Sequence, residues 1–489
     1  MADSQIILQQ PLAGKLTATA LSDQPPATVV DSRDVWPIDA KTGRSRLAVR
    51  PGYATIGSLA GAAGFAILGN ASGEPGGIQL FAFTSSGAYT WTGSGWGYAG
   101  GSLTASASRT IHAASYGNKL YVACNDPYKS ITYGGSPTTW NPTSIPTNCR
   151  IISRFGPRLV LLADPANPDD VNFSKADDPD GWDTSDETSG GAVTISIGEA
   201  ATSAFEHTRG CFIVGTRHGM WVFRGNPKSA TAILEKFTFV SGPINSSAWC
   251  KAADEWVYYI GIDGLYKIPP GCGDPPQEVS RNRIPDGLLG LDGVNSKAYL
   301  VYNERFRGVE IHIQGDNAAS WFYDVDGGGF WPMTAPGSGI LAAFRFGPLD
   351  STTAAGSLIG TSAAVMRLDN TQPLGGASAA YATLLMPLAQ PGNKGLITKS
   401  VQQFAANTDD TGGTVALYCG ATAELATALT TDRKESVTIG ELQNNNSTWY
   451  PRVGGTFAAL KITQADTAKH WALEAGSFTA AANGIERGE

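Results

Sequence analysis

Charge is scarce in this chain. Asp, Glu, Lys and Arg make up 16% of its residues, against about 25% in ordinary globular domains. A surface so poor in charge, yet rich in Ser, Thr, Gly and Ala, suits a protein that lies packed against neighbours. The charges present sum to −8, which argues against a nucleic-acid binder that grips phosphate, since that needs Lys/Arg clusters to displace counterions. A passage in which a polyanion slides is still allowed, because like-sign repulsion keeps it off the wall. Long hydrophobic runs are missing too: no stretch approaches the ~20 apolar residues that span a bilayer. The opening Met1-Ala-Asp-Ser-Gln-Ile-Ile-Leu8 has neither the basic n-region nor the apolar core of a secretory signal. The expectation is a protein made in the cytoplasm and not inserted into a membrane.

Motifs that carry chemistry are equally few. Cys124, Cys149, Cys211, Cys250, Cys272 and Cys419 contain no C-x-x-C pair, so they are expected to be reduced and mostly buried, neither disulfide partners nor zinc ligands. The five histidines are scattered, which makes each a structural residue first. There is no G-x-S-x-G elbow, no H-E-x-x-H and no G-K-[ST] phosphate loop. Gly95-Trp-Gly97-Tyr-Ala-Gly100 fits G-x-G-x-x-G as a string, but its aromatic fillers and the Ser/Thr run after it indicate strand and turn. No enzyme activity, cofactor or catalytic residue is expected.

What the chain does hold is punctuation and aromatic surface. Gly (59) and Pro (28) interrupt it every few residues, as many short strands and tight turns require. Between about Phe65 and Asp369, an apolar strand, a polar turn and a second apolar strand recur. The first strands start near Phe65, Leu120, Leu159, Phe212, Trp256, Tyr299 and Leu341. A recurrence of roughly 40–50 residues built of strands is the signature of a β-propeller, one blade per period. The fold expected is all-β: a six- or seven-bladed β-propeller over 64–370, preceded by an extended arm (1–63). A β-rich platform domain (371–489) follows, sandwich-like and completed by the arm, with Ala421–Thr430 as its one plausible helix.

Two constellations stand out. In the arm, charges of alternating sign (Arg33, Asp34, Arg44, Arg46 and Arg50) sit where apolar periodicity is weak, as in a strap that docks on the platform or on a neighbour. If the arm serves assembly alone, deleting 1–50 leaves folded monomers. The second is the acidic stretch Asp164–Glu187, with Asp164, Asp169, Asp170, Asp177, Asp178, Asp180 and Asp183. It reads as a loop bordering a lumen or an ion site, or as a solvated loop without EF-hand spacing. Within it, Ser174-Lys-Ala-Asp177 to Asp180-Gly-Trp182 resembles the Asp-box hairpin of sialidases, with the Gly-to-Trp spacing wrong. This keeps a carbohydrate-binding or sialidase-like propeller as the alternative reading.

A second resemblance covers more of the chain. Asp31-Ser-Arg-Asp-Val-Trp-Pro-Ile-Asp39, with Thr42-Gly-Arg44 and Val49-Arg-Pro-Gly52, resembles the N-terminal strap of tail proteins from short-tailed bacteriophages. Pro157-Arg-Leu-Val-Leu-Leu-Ala163, Asn167-Pro-Asp-Asp-Val-Asn-Phe-Ser174 and Asp178-Pro-Asp-Gly-Trp-Asp183 look like their blade pattern, and Lys469-His-Trp-Ala-Leu-Glu474 like their last strand. The resemblance implies a tail nozzle, the B-type tail tubular protein: a structural ring, usually a hexamer, in the virion tail. Double-stranded DNA leaves through such a ring, an adaptor ring sits above it, and fibres, spikes or a plug attach outside. No catalytic residue belongs to that pattern.

Overall fold

The computed structural model describes residues 4–8, 13–16, 20, 23, 25, 28–59, 62–69, 78–101, 103, 110–123, 127–208, 210–271, 273–280, 283, 285–315, 318–336, 339–346, 356–369, 374, 380–385, 394–428 and 434–483. Cys124, Cys272 and the end of the expected helix, 429–430, lie outside them.

The local logic is clearest in Arg158–Leu162, a wholly buried strand. Side chains alternate across a strand, and here Leu159 and Leu161 join one apolar cluster while Val160 and Leu162 join another. Both faces of the sheet are covered, so the strand reads as an unbroken apolar run. A two-residue turn, with Gly156 at φ +54°, lets it pair back onto Ile151–Phe155. The left-handed conformation is one that glycine adopts without steric cost.

Among the described residues, repetition of that unit builds seven four-stranded antiparallel sheets, the blades of a β-propeller. Their innermost strands start at Ala62, His112, Ile151, Ala201, Trp249, Ser296 and Ile340, by subtraction 50, 39, 50, 48, 47 and 44 residues apart. Each gap between neighbouring blades is filled by its own cluster. Phe155 and Phe173 of blade 3 meet Phe212 and Phe223 of blade 4, for example, at centroid distances of 5.3 to 6.1 Å. Blade 7 is completed by Gly52–Ser58, which pairs with Ala364–Asp369. That strand, expected in the arm, belongs to the propeller and closes its ring.

The platform is two sheets on a shared core. One takes Val35–Ile38 and Ser45–Val49 from the N-terminal region together with Lys394–Phe404 and Ala472–Asn483; the other takes Asp31–Arg33 together with Ala380–Leu385, Phe457–Thr463, Thr414–Gly420 and Lys434–Thr438. The expected helix is the short Ala423–Thr427, capped by Thr422. A second, Ile439–Asn444, was not expected, although Thr438 and Glu441 form a full capping box that the T-x-x-E spacing encodes. The platform core runs without a break into blade 6: Trp36 stacks on Phe322 at 4.1 Å, in one cluster with Trp331, Met333 and Trp471.

Candidate functional site

The arm is a structural strap within this chain. Asp34, fully buried and held at φ +57°, accepts hydrogen bonds from Arg50 Nε (2.6 Å), the Thr334 amide (2.7 Å) and the Thr334 hydroxyl (2.6 Å). Arg50 also donates to the carbonyls of Pro51 (2.8 Å) and Thr334 (3.0 Å). Thr334 follows the outer strand of blade 6, so this cluster fastens platform to propeller. Asp39 anchors the other end, accepting from Arg46 Nε (3.0 Å), Thr42 Oγ1 (2.7 Å) and Asn407 Nδ2 (3.0 Å), while Arg46 reaches on to Glu474. Burial alone would raise the Asp39 carboxyl; contacts from His470, Arg46, Thr42 and Asn407 outweigh it and hold the group well below the usual carboxylate range.

Asp34, Arg46 and Arg50 are therefore closed to a neighbouring subunit. Of the five arm residues singled out, Arg33 and Arg44 are exposed. The segment 1–50, expected to be dispensable for folding, supplies strands to both platform sheets and Trp36 to their core.

The acidic stretch is not one loop. Asp170–Phe173 forms a strand in its middle, and successive strands of a meander run in opposite directions. One face of the disc carries the starts of the innermost strands (the start face); the other carries the turns into the second strands (the turn face). Asp164, Asp169 and Asp170 lie at the start face, whereas Asp177, Asp178, Asp180 and Asp183 lie at the turn face. Three cap local backbone: Asp164 accepts from the Ala166 amide, Asp178 from that of Asp180 and Asp183 from that of Ser185. Asp180 accepts 2.6 Å from the indole of Trp140, and Asp169 accepts from Ser196. Among the described residues, no three His, Cys, Asp or Glu side chains gather as a metal-holding group.

The broken Asp-box is a turn that seats a core residue. Trp182 donates to the carbonyl of Pro179 (2.9 Å) and lies buried against Trp140, at the seam between blades 2 and 3. Cys149, Cys250 and Cys419 are buried thiols outside any disulfide. Cys211 is disulfide-bonded, contrary to the expectation of reduced thiols throughout. No spacing motif in the sequence announces that bond.

Sequence reasoning also missed the axial cavities. At the start face, a cavity of about 470 Å³ is walled by residues that include His112, Arg150, Arg217, Ser246, Asp292 and Lys297. At the turn face a wider one, about 810 Å³, is bordered by Arg154, Asp177, Glu206, Lys251 and Glu255. His112 is half-buried, its Nε2 lying 2.6 Å from Ser246 Oγ, and desolvation of the ring brings its pKa down to about 4. It is neutral at pH 7. A sialidase would need three arginines with a Tyr/Glu pair; the start-face walls offer two arginines and Lys297, with neither Tyr nor Glu among the described residues.

No known family profile matches the chain, and no curated protein matches it. Solved structures similar to it include the extracellular domain of a one-component system from B. thetaiotaomicron (12% identity, TM-score 0.43, 74% of this chain and 45% of that one). Others are the WD40 domain of Neurospora crassa Pan2 (9%, 0.42, 65% and 95%) and YCF48 bound to a D1 peptide (13%, 0.41, 65% and 98%). The chain thus spans less than half the length of the B. thetaiotaomicron domain. These likenesses reach no further than overall fold.

Proposed function

We propose that this protein is a structural subunit of a bacteriophage tail, of the nozzle kind. It assembles with copies of itself, as a hexamer, into a closed ring through which double-stranded DNA leaves the particle. The observation that carries this reading is the strap. Contacts between domains of one chain are commonly polar and permit relative motion. Here the buried Asp34–Arg50 pair, bonded to Thr334, and one continuous apolar core join propeller to platform, so that the subunit transmits force as one body, as the wall of a pressurised ring must.

The residues behind the phage-tail resemblance support the reading from another side. Asp34, Trp36, Asp39, Trp182 and Glu474 each make a contact that joins elements distant in sequence, Asp39 with Asn407 and Trp182 with Trp140. Low surface charge suits subunits that cover one another, and net acidity suits a conduit that does not retain DNA. An adaptor ring would sit on one side of such a ring, and fibres, spikes or a plug would use the blade edges outside. Sedimentation velocity and negative-stain microscopy of the full chain test the proposal. A closed ring is the expected result; a monomer at every concentration overturns it.

A further inference from the structure

We infer that the start-face cavity is a binding site for a small organic oxyanion, a phosphate or carboxylate on an apolar body, gripped by Arg150, Arg217 and Lys297. These three come from separate blades. Arg150 precedes the innermost strand of blade 3, Arg217 sits at a hairpin tip of blade 4, and Lys297 lies on the innermost strand of blade 6. Only closure of the propeller ring brings them to one cavity.

Most arginines with resolved partners in this chain face carboxylates: Arg46, Arg50, Arg224, Arg345 and Arg367 each form an ion pair. Arg150 and Arg217 form none among the described residues. The two carboxylates in the same wall are held by local turns. Asp292 accepts from the amides of Val294 (2.9 Å), Asn295 (2.8 Å) and Ser296 (3.0 Å) and from the Asn295 side chain (2.7 Å), and Asp164 from Ala166 and Asn167. Lys297 is half-buried, and both that burial and the charge of Arg150 lower its pKa. A guanidinium fork matches the paired oxygens of phosphate or carboxylate. Neutral His112 adds no charge. Ile151, Pro168 and Ile244 supply apolar wall, and the volume falls within the range of small-molecule sites.

Ring assembly is not assumed, so this inference and the proposed function stand or fall separately. Isothermal titration of the full chain at low salt tests it with phenyl phosphate, inorganic phosphate and benzyl alcohol as probes. Phenyl phosphate is expected to bind best, inorganic phosphate more weakly and benzyl alcohol not measurably. The Arg150→Gln/Lys297→Gln variant should bind phenyl phosphate at least tenfold more weakly. Arg224→Gln, at a surface pair on blade 4, should bind like the parent. Thermal melts matching the parent's establish that both variants fold. Absence of phenyl phosphate binding in the parent, or equal affinity in the double variant, overturns the inference.

Discussion

The Tyr53 hydroxyl donates a 2.9 Å hydrogen bond to Oε2 of Glu310, joining the ring-closing strand of blade 7 to the second strand of blade 6. Glu310 is fully buried and also accepts from Asn303 (2.9 Å), while His312 lies 3.8 Å away. Burial would raise its pKa, yet these partners hold it low. Arg50, which lies over the Tyr53 ring at 5.4 Å, carries the connection on to Asp34 and the platform. Closure of the disc and attachment of the platform are thus one network.

Removing the hydroxyl tests that network. Tyr53→Phe leaves a buried carboxylate short of a donor, which should destabilise the protein by about 1–3 kcal/mol. Urea denaturation reads the change; an unaltered midpoint would mean that the closing strand is held by its backbone ladder alone.

The strap should respond more strongly. Arg50→Ala strands the buried Asp34, and breaking a buried pair from one side costs about 3–5 kcal/mol. Asp34→Asn should cost less than Asp34→Ala, because the amide oxygen still accepts from Thr334 and Asn tolerates the positive φ. Limited proteolysis of Arg50→Ala should cut between propeller and platform before either domain is degraded.

Two carboxylates give opposite pH dependences. Asp39 is held low, so its contribution is fully present above the unfolded carboxylate pKa of about 3.9; it is lost as pH falls from there toward the folded value. Asp324 is raised to about 6 by burial, against opposing hydrogen bonds from the amides of Gly327 and Asp326. The folded state therefore holds the Asp324 proton more tightly, and stability declines as pH rises from about 3.9 to 6, by on the order of 2–3 kcal/mol. Melting temperatures across that interval should show the decline in the parent and lose it in Asp324→Asn.

Truncation separates a strap from a tether. A chain starting at residue 51 lacks strands of both platform sheets and should be insoluble or lack a cooperative melt. A folded monomer from that chain would contradict the strap. Trp182→Ala, at the seam of blades 2 and 3, should cost about 3–5 kcal/mol as other large core truncations do, measured by the same denaturation.

Much of the fold was legible, though out of phase. The apolar pattern places the starts of first strands near Leu120, Leu159, Phe212 and Trp256, but the first three lie in second strands and Trp256 immediately precedes one. The second strand sits mid-sheet with both faces covered and so reads as apolar. The innermost strand borders the axial channel, and stretches such as His112-Ala-Ala-Ser-Tyr116 or Trp249-Cys-Lys251 carry small and polar residues there. Charged residues misled for a related reason. Charge usually signals exposure, and only a partner from elsewhere in the chain makes Arg46, Arg50, Asp34 and Asp39 core residues.

By itself, the sequence settled what is local: period-two strands, the Gly and Asn turns that reverse them, and apolar runs wherever both faces of a sheet are covered. Tertiary structure alone decided that there are seven blades, that the strand at Gly52–Ser58 closes the ring, and that the acidic stretch is divided between two faces. Local conformation follows from side-chain sterics within a few residues. Strand partnership, buried ion pairs and a cavity walled by separate blades exist only between segments that folding brings together.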